Sequence, residues 1–122
     1  MKKADIRKLK VYVAEPFGTH VVLAREEKLY QDYYHELTKS RSPVNTRKSD
    51  GVTHQLSDED GTDMLILIGW FKPYRISTLA HECSHAAFRI CGDHGVVLEP
   101  DNNEVHAYLL SGMMDHFMGK GK

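Results

Sequence analysis

Two histidines and a glutamate in the second half of the chain are spaced in a way that could bind a metal ion. The segment reads His81-Glu82-Cys83-Ser84-His85, and its surroundings predict a helix over residues 77–90. Residues four positions apart lie on the same face of a helix, so the two imidazoles could hold one zinc ion. Glu82 would lie beside the ion without binding it, as a general base acting on zinc-bound water does. The pattern therefore predicts zinc and a hydrolytic reaction.

The alternative for these histidines is an ordinary surface pair on an amphipathic helix. The helix signals around them are good, since Ser77 or Thr78 can cap its start and Gly92 can end it. Small and apolar neighbours predict that this helix is buried, namely Leu79, Ala80, Ala86, Ala87, Phe88 and Ile90. Unpaired histidines would be costly inside a protein, which favours the zinc site.

A catalytic zinc site needs a third protein ligand and one open position for water. We predict Glu104 as that ligand, at the start of a second helix that runs from Asn103 to about Met118. Asp101 would cap this helix with Glu104 three residues later. Two alternatives stay open: Glu104 could serve only as a capping residue, or His94, in a glycine-flanked loop, could be the third ligand.

These residues also resemble a known class of enzymes. His81-Glu82-x-x-His85 followed by Asn103-Glu104 on a later helix resembles the gluzincin zinc metallopeptidases, with a short spacing similar to the thermolysin-like pattern. Glu104-Val105-His106-Ala107 resembles the corresponding helix of the ImmA/IrrE-type peptidases, which are small bacterial and phage-associated proteins related to repressor cleavage. Tyr108 stands where those proteins usually have Asn. The resemblance covers residues 77–118 and implies a minimal zincin-like domain.

The roles expected at the site follow from the metal chemistry and the resemblance together. His81, His85 and Glu104 would bind Zn²⁺, and Glu82 would move the proton of the water. Tyr108 is the expected donor to the oxyanion, with His54 or His116 as alternatives. Asp115 is a candidate hydrogen-bond partner for a ligand histidine.

Three functions are compatible with this site. The leading expectation is a zinc-dependent metallopeptidase with a peptide or protein substrate, which a protein partner could present. The alternative is a non-catalytic zinc-binding regulatory or interaction protein, although such a protein has no need of Glu82. The third is a zinc hydrolase that acts on a non-peptide amide or ester.

Composition limits the partners and the surroundings. The chain has 122 residues, enough for a single domain over 1–122, and a net charge of −1 gives no reason to expect nucleic acid or an anionic membrane. Cys83 and Cys91 would lie about 12 Å apart along one helix, too far for a disulfide. The start of the chain is charged and does not resemble a signal peptide, and no apolar run is long enough to span a membrane. These observations predict a reduced, cytoplasmic protein.

Hydropathy patterns predict an α+β fold, with a small mixed sheet packed against the His81–His85 helix and the C-terminal helix. Residues 10–14 and 20–24 read as strands, and residues 25–39 as a helix. Residues 52–57 and 64–70 are predicted to form a hairpin closed by an acidic turn. The apolar segment 64–70 is predicted to be a central strand of the sheet, and the polar segment 52–57 an edge strand. Residues 40–51 predict a loop. An extended substrate could pair with the edge strand.

Overall fold

The apolar run Met64–Trp70 forms the centre of the sheet. In the computed structural model, which describes residues 6–39, 50–57, 64–99 and 103–119, this run is strand β4. Its residues Ile66, Leu67 and Ile68 are fully buried, because β4 has a strand on each side and helices over both faces. The prediction of a central strand buried on both faces is confirmed.

Among the described residues, four strands make up the mixed sheet. They are β1 (Lys10–Ala14), β2 (Thr19–Ala24), β3 (Gly51–Ser57) and β4, in the order β1-β2-β4-β3. β1 and β2 are antiparallel, β2 and β4 are parallel, and β3 is antiparallel to β4. The predicted pairing of β3 with β4 and the edge position of β3 are confirmed. The acidic turn at 58–63 and positions 40–49 of the predicted loop lie outside the described residues, whereas Gly51 already belongs to β3.

In the part of the chain that the structure describes, three α-helices cover the two faces of the sheet. α1 (Glu27–Thr38) packs Leu29 and Tyr30 on one face, while α2 (Ile76–Asp93) and α3 (Glu104–Phe117) pack on the other. Alternation along β2 explains this division, since Val21 and Leu23 face α2 and α3 whereas Val22 and Ala24 face α1. The predicted α+β class, with a mixed sheet packed against the helix that carries His81 and against the C-terminal helix, is confirmed.

The ends of α2 differ from the prediction. The helix begins at Ile76 with Arg75 as its N-cap residue and no side-chain cap bond, so the predicted cap at Ser77 or Thr78 is wrong. At the other end Gly95 has φ +71°, and the Val96 amide donates to the Cys91 carbonyl at 2.8 Å. This is a Schellman ending, in which the left-handed residue is Gly95. Gly92, predicted to end the helix, lies inside it.

α3 begins one residue later than predicted. Asn103 is the N-cap residue and makes no side-chain cap bond, while the predicted cap Asp101 lies outside the described residues. Cys83 and Cys91 are free and buried, as the prediction of no disulfide requires. Within the described ranges, no helix is both long enough and apolar enough to cross a membrane.

Candidate functional site

The side chains of His81 and His85 converge on the outer face of α2. Their Nε2 atoms are 3.1 Å apart, and the ring planes are perpendicular with centroids 4.6 Å apart. Two imidazole ligands of one tetrahedral zinc ion would have nitrogens about 3.3–3.4 Å apart, given Zn–N distances of about 2.0–2.1 Å. The observed separation also suits an N–H···N hydrogen bond between neutral rings, so metal content is the measurement that separates the two interpretations.

Both histidines are exposed, so the expectation that they would be buried is wrong. The helix buries its opposite face, where Leu79, Cys83 and Ile90 are fully inaccessible. Phe88, one turn beyond His85, is 61% exposed on the histidine side. The cost of burying unpaired histidines therefore gives no support for a zinc site, and the support comes from the convergence of the two nitrogens.

Glu82 occupies the most enclosed polar position near this pair. It is 8% exposed, and within the described ranges it alone among polar and charged residues is buried. The Thr53 hydroxyl lies 2.6 Å from Glu82 Oε1 and 3.3 Å from the backbone oxygen of Glu82. Since the next residue in the helix is rotated by about 100°, Glu82 faces β3 while His81 beside it faces outward.

A glycine in β3 allows the strand to pass close to Glu82. A Cβ atom added at Gly51 would lie 2.7 Å from Thr78 Cγ2, 2.9 Å from Glu82 Cγ and 3.2 Å from Glu82 Oε2. Contacts this short require neighbouring atoms to move, so the absence of a side chain at position 51 is part of how the carboxylate is enclosed. Glu82 is therefore held between α2 and the edge strand.

Cys83, between the two histidines in sequence, packs in the core. Burial, with a smaller contribution from Glu82, raises the pKa of the Cys83 thiol to about 12. Because a thiolate is the form that binds metal ions, this thiol is a poor ligand at neutral pH. Cys83 is therefore a packing residue of the core.

Glu104 lies exposed at the first position of α3. Within residues 6–39, 50–57, 64–99 and 103–119, no three His, Cys, Asp or Glu side chains are grouped so that they could hold a metal ion. The structure thus brings His81 and His85 together but does not bring Glu104 to them, and its role as third ligand stays a prediction. α3 does contact α2 close to the pair, because His106 Nε2 lies 3.3 Å from the Ser84 carbonyl oxygen.

The candidate oxyanion donors on α3 lie toward the opposite edge of the sheet from Glu82. Tyr108 is 61% exposed and close enough to Tyr12 in β1 to contribute, after burial, to the raised pKa of the Tyr12 phenol. His116 packs its ring against Tyr12 with centroids 5.6 Å apart, and Asp115 is exposed. Because β1 and β3 form opposite edges, these placements do not join Tyr108 to Glu82. Its catalytic role stays a prediction.

The two remaining candidate histidines have partners elsewhere. His94 packs against Phe17, with ring centroids 4.6 Å apart, in the segment that follows α2. His54 points to the α1 side of β3, where its Nδ1 is hydrogen-bonded to the Tyr30 hydroxyl. Neither contact joins these histidines to the His81–His85 pair.

The free edge of the sheet runs beside Glu82. The Phe71 amide donates to the Asp50 carbonyl at 2.8 Å, so by the alternation of antiparallel strands residues 52, 54 and 56 direct their backbone groups to β4. The backbone groups of Thr53 and Gln55 consequently point away from the sheet. In the part of the chain that the structure describes, no further strand pairs with β3.

Sequence reasoning missed Thr53 and Gly51. The available signal was alternation along the predicted strand 52–57 and the residue before it, where Val52 and Leu56 are apolar and positions 51, 53 and 55 are small or polar. This pattern places the second set on one face of β3, and that face meets α2. Comparison of the chain with protein-family models, with curated proteins and with solved structures finds no match in any of the three.

Proposed function

We propose that the protein is a zinc-dependent peptidase whose active site lies on α2, with His81 and His85 on the outer face of the helix and Glu82 on the side toward β3. The observation that carries the proposal is the convergence of the His81 and His85 Nε2 atoms to 3.1 Å, next to a glutamate whose carboxylate is enclosed against the edge strand. A pair of surface histidines could be joined by a hydrogen bond at this distance, but it would have no need of the enclosed carboxylate.

The two imidazoles are suitable ligands for Zn²⁺, and we propose the Glu104 carboxylate as the third, with His94 as the alternative. When bound, zinc supplies the Lewis acidity that makes water nucleophilic near neutral pH and polarises a carbonyl. Closing such a site would require Glu104 to reach the pair from the start of α3. The contact between His106 and Ser84 holds this helix against α2 near the pair.

Glu82 is proposed as the general base. In hydrolysis of an amide it would accept a proton from the attacking water and deliver it to the leaving nitrogen. Its placement supports this role, because Glu82 directly follows His81 in the helix and its side chain is largely shielded from bulk water. A carboxylate that is buried and held by a hydrogen bond needs little rearrangement of the surrounding groups during proton transfer.

A peptide is the substrate that suits the surroundings best. The outward backbone groups of Thr53 and Gln55 on β3 could pair with an extended chain by strand addition, which recognises the backbone more than the side chains. Such a chain would run along the side of the sheet that carries Glu82. A small amide or ester would make no use of this edge.

A non-catalytic zinc-binding regulatory protein is the second candidate. It is favoured by the exposure of both histidines and by the position of Glu104 outside any metal-binding group in the described ranges. We also propose a reducing, cytoplasmic location, which the free thiols of Cys83 and Cys91 support.

Metal content of the purified 122-residue chain tests the site. We expect about one zinc per chain in the wild type, strongly reduced occupancy in His81→Ala and His85→Ala, and full occupancy in Glu82→Gln and in the surface control His20→Ala. Loss of zinc in Glu104→Ala identifies the third ligand, whereas loss in His94→Ala with retention in Glu104→Ala transfers that role to His94. A wild type that binds no zinc even when zinc is supplied would overturn the proposal.

The same proteins distinguish an enzyme from a binding protein. With a mixed peptide library read out by mass spectrometry, zinc-loaded wild type should cleave, and Glu82→Gln should lose at least about 100-fold in kcat while it keeps its zinc. Zinc binding without cleavage in the wild type would favour the regulatory candidate.

A further inference from the structure

We propose that Thr53 is a positioning residue for Glu82, fixing the carboxylate in the orientation that proton transfer requires. This inference rests on the proposed peptidase function. Thr53 lies on β3, and its hydroxyl is 2.6 Å from Glu82 Oε1. That length lies within the range of a hydrogen bond from a hydroxyl to a carboxyl oxygen.

The hydroxyl of Thr53 has one proton and two acceptors near it. Glu82 Oε1 at 2.6 Å is closer than the Glu82 backbone oxygen at 3.3 Å, so the proton is donated to the carboxylate. One carboxylate oxygen is thereby engaged in a hydrogen bond. The other, Oε2, is not bonded to Thr53 and is the oxygen that we propose accepts the proton of the water.

Gly51 restricts the same carboxylate from a second direction. A Cβ at this position would lie 2.9 Å from Glu82 Cγ and 3.2 Å from Oε2, so the β3 backbone itself limits how far the side chain can turn. Gly51 and Thr53 are two positions apart and present the same face of the strand to α2. Together they determine both the place and the rotation of the carboxylate.

β3 is a rigid support for this hydroxyl because its other face is also anchored. His54, the next residue, is hydrogen-bonded to Tyr30, which is fully buried and also donates to the Leu67 carbonyl at 3.3 Å. Thr53 itself pairs with Ile68 in β4. A group that orients a catalytic side chain acts well only when its own position is fixed in this way.

The test compares Thr53→Val with Thr53→Ser in the zinc-loaded 122-residue protein. Valine has the shape of threonine without the hydroxyl, and serine restores the hydroxyl. We expect Thr53→Val to lose about 10- to 100-fold in kcat, as loss of such an orienting partner typically does, with KM roughly unchanged and zinc content equal to wild type. Thr53→Ser should recover most of the loss. Thr38→Val, which removes a threonine hydroxyl bonded to the Tyr34 carbonyl in α1, is the matched control and should keep full kcat.

A second measurement is independent of turnover. Unfolding midpoints of Thr53→Val, Glu82→Met and the double variant form a cycle, in which methionine keeps roughly the volume of glutamate but has no acceptor. A direct hydrogen bond predicts that the two effects are not additive. Additive effects, a wild-type kcat in Thr53→Val, or an equal loss in the valine and serine variants would each overturn the proposal. If the wild type shows no turnover at all, the peptidase function fails, and the cycle still decides whether Thr53 holds Glu82.

Discussion

His54 faces the layer opposite Glu82, one residue away from Thr53. Its ring is hydrogen-bonded to the hydroxyl of Tyr30 and packs against the ring of Tyr34 with centroids 5.3 Å apart. Burial, and to a smaller extent the charge of Arg89 on α2, lowers the pKa of His54 below its ordinary value of 6.5. The folded protein therefore disfavours the imidazolium at this position.

This lowered pKa predicts how stability depends on pH. Between the folded pKa and about 6.5 the unfolded chain binds more protons at position 54 than the folded chain does, so the free energy of unfolding rises with pH through this window. The contribution of His54 is complete above about pH 6.5 and is lost as the pH falls through that value toward the folded pKa.

The variant His54→Asn checks this prediction, since asparagine can donate a hydrogen bond from its side-chain amide to the Tyr30 hydroxyl oxygen and does not titrate. Urea unfolding from about pH 5 to about pH 8, with a chelator present, should show a weaker loss of stability at low pH in this variant than in the wild type. His20→Ala, at an exposed site, should keep the wild-type slope. Equal slopes in His54→Asn and wild type would contradict the lowered pKa.

At the residue scale the sequence predicts some parts of the candidate site and not others. The convergence of His81 and His85 follows from a four-residue spacing on one helix, which is local information. The hydrogen bond from Thr53 to Glu82 joins two elements and depends on how β3 packs against α2, which no local pattern specifies. The prediction that His81 and His85 are buried is wrong. Apolar neighbours such as Leu79 and Ile90 indicate that one face of the helix is buried, but they do not indicate whether the histidines lie on that face.

At the scale of elements, the close approach of β3 to α2 determines the shape of the site. Gly51 permits this approach, because a methyl group there would lie 2.7 Å from Thr78 Cγ2 and 2.9 Å from Glu82 Cγ. Both of those atoms belong to α2. A substitution at position 51 therefore changes the distance between strand and helix.

We expect Gly51→Ala to lower the free energy of unfolding by about 1–3 kcal/mol, the usual cost of overpacking. Gly92→Ala is the matched control, since a Cβ at Gly92 meets nothing within 4 Å and alanine is favoured over glycine in a helix by up to about 1 kcal/mol. Denaturant unfolding of both variants measures the difference. A Gly51→Ala protein as stable as Gly92→Ala would show that β3 and α2 are not closely packed at this point.

The elements themselves were largely predictable, and their ends were not. The continuous apolar run predicts that β4 is a central strand, and the more polar segment beside it predicts that β3 is an edge strand. A strand buried on both faces is apolar at nearly every position, whereas a strand buried on one face also carries polar residues. The end of α2 was placed at Gly92, although Gly95 is the residue with positive φ. Both residues are glycines near the end of an apolar stretch. The helix ends at the second one because the Val96 amide donates a hydrogen bond to the Cys91 carbonyl, and the identity of neither glycine predicts that bond.

At the scale of the whole molecule, the core and the candidate metal site are on opposite faces of one helix. α2 directs Cys83 and Ile90 into the core it shares with α3 and the sheet, and it directs His81 and His85 to the solvent. The fold thus holds the two imidazoles in one arrangement without depending on a metal to form its core. The unfolded chain has no such constraint on these two side chains.

Zinc should therefore stabilise the folded protein by binding it more tightly than the unfolded chain. At a free zinc concentration about 100 times Kd the gain is about 2.7 kcal/mol, which corresponds to a rise in Tm on the order of 10 °C for a chain of this size. The chain has 8 histidines and 2 cysteines, and binding of zinc to them in the unfolded state would reduce the rise. Thermal unfolding with increasing zinc should show the rise in wild type and in His20→Ala, and should not show it in His81→Ala or His85→Ala. A full rise in both of these variants would place the stabilising zinc site away from α2.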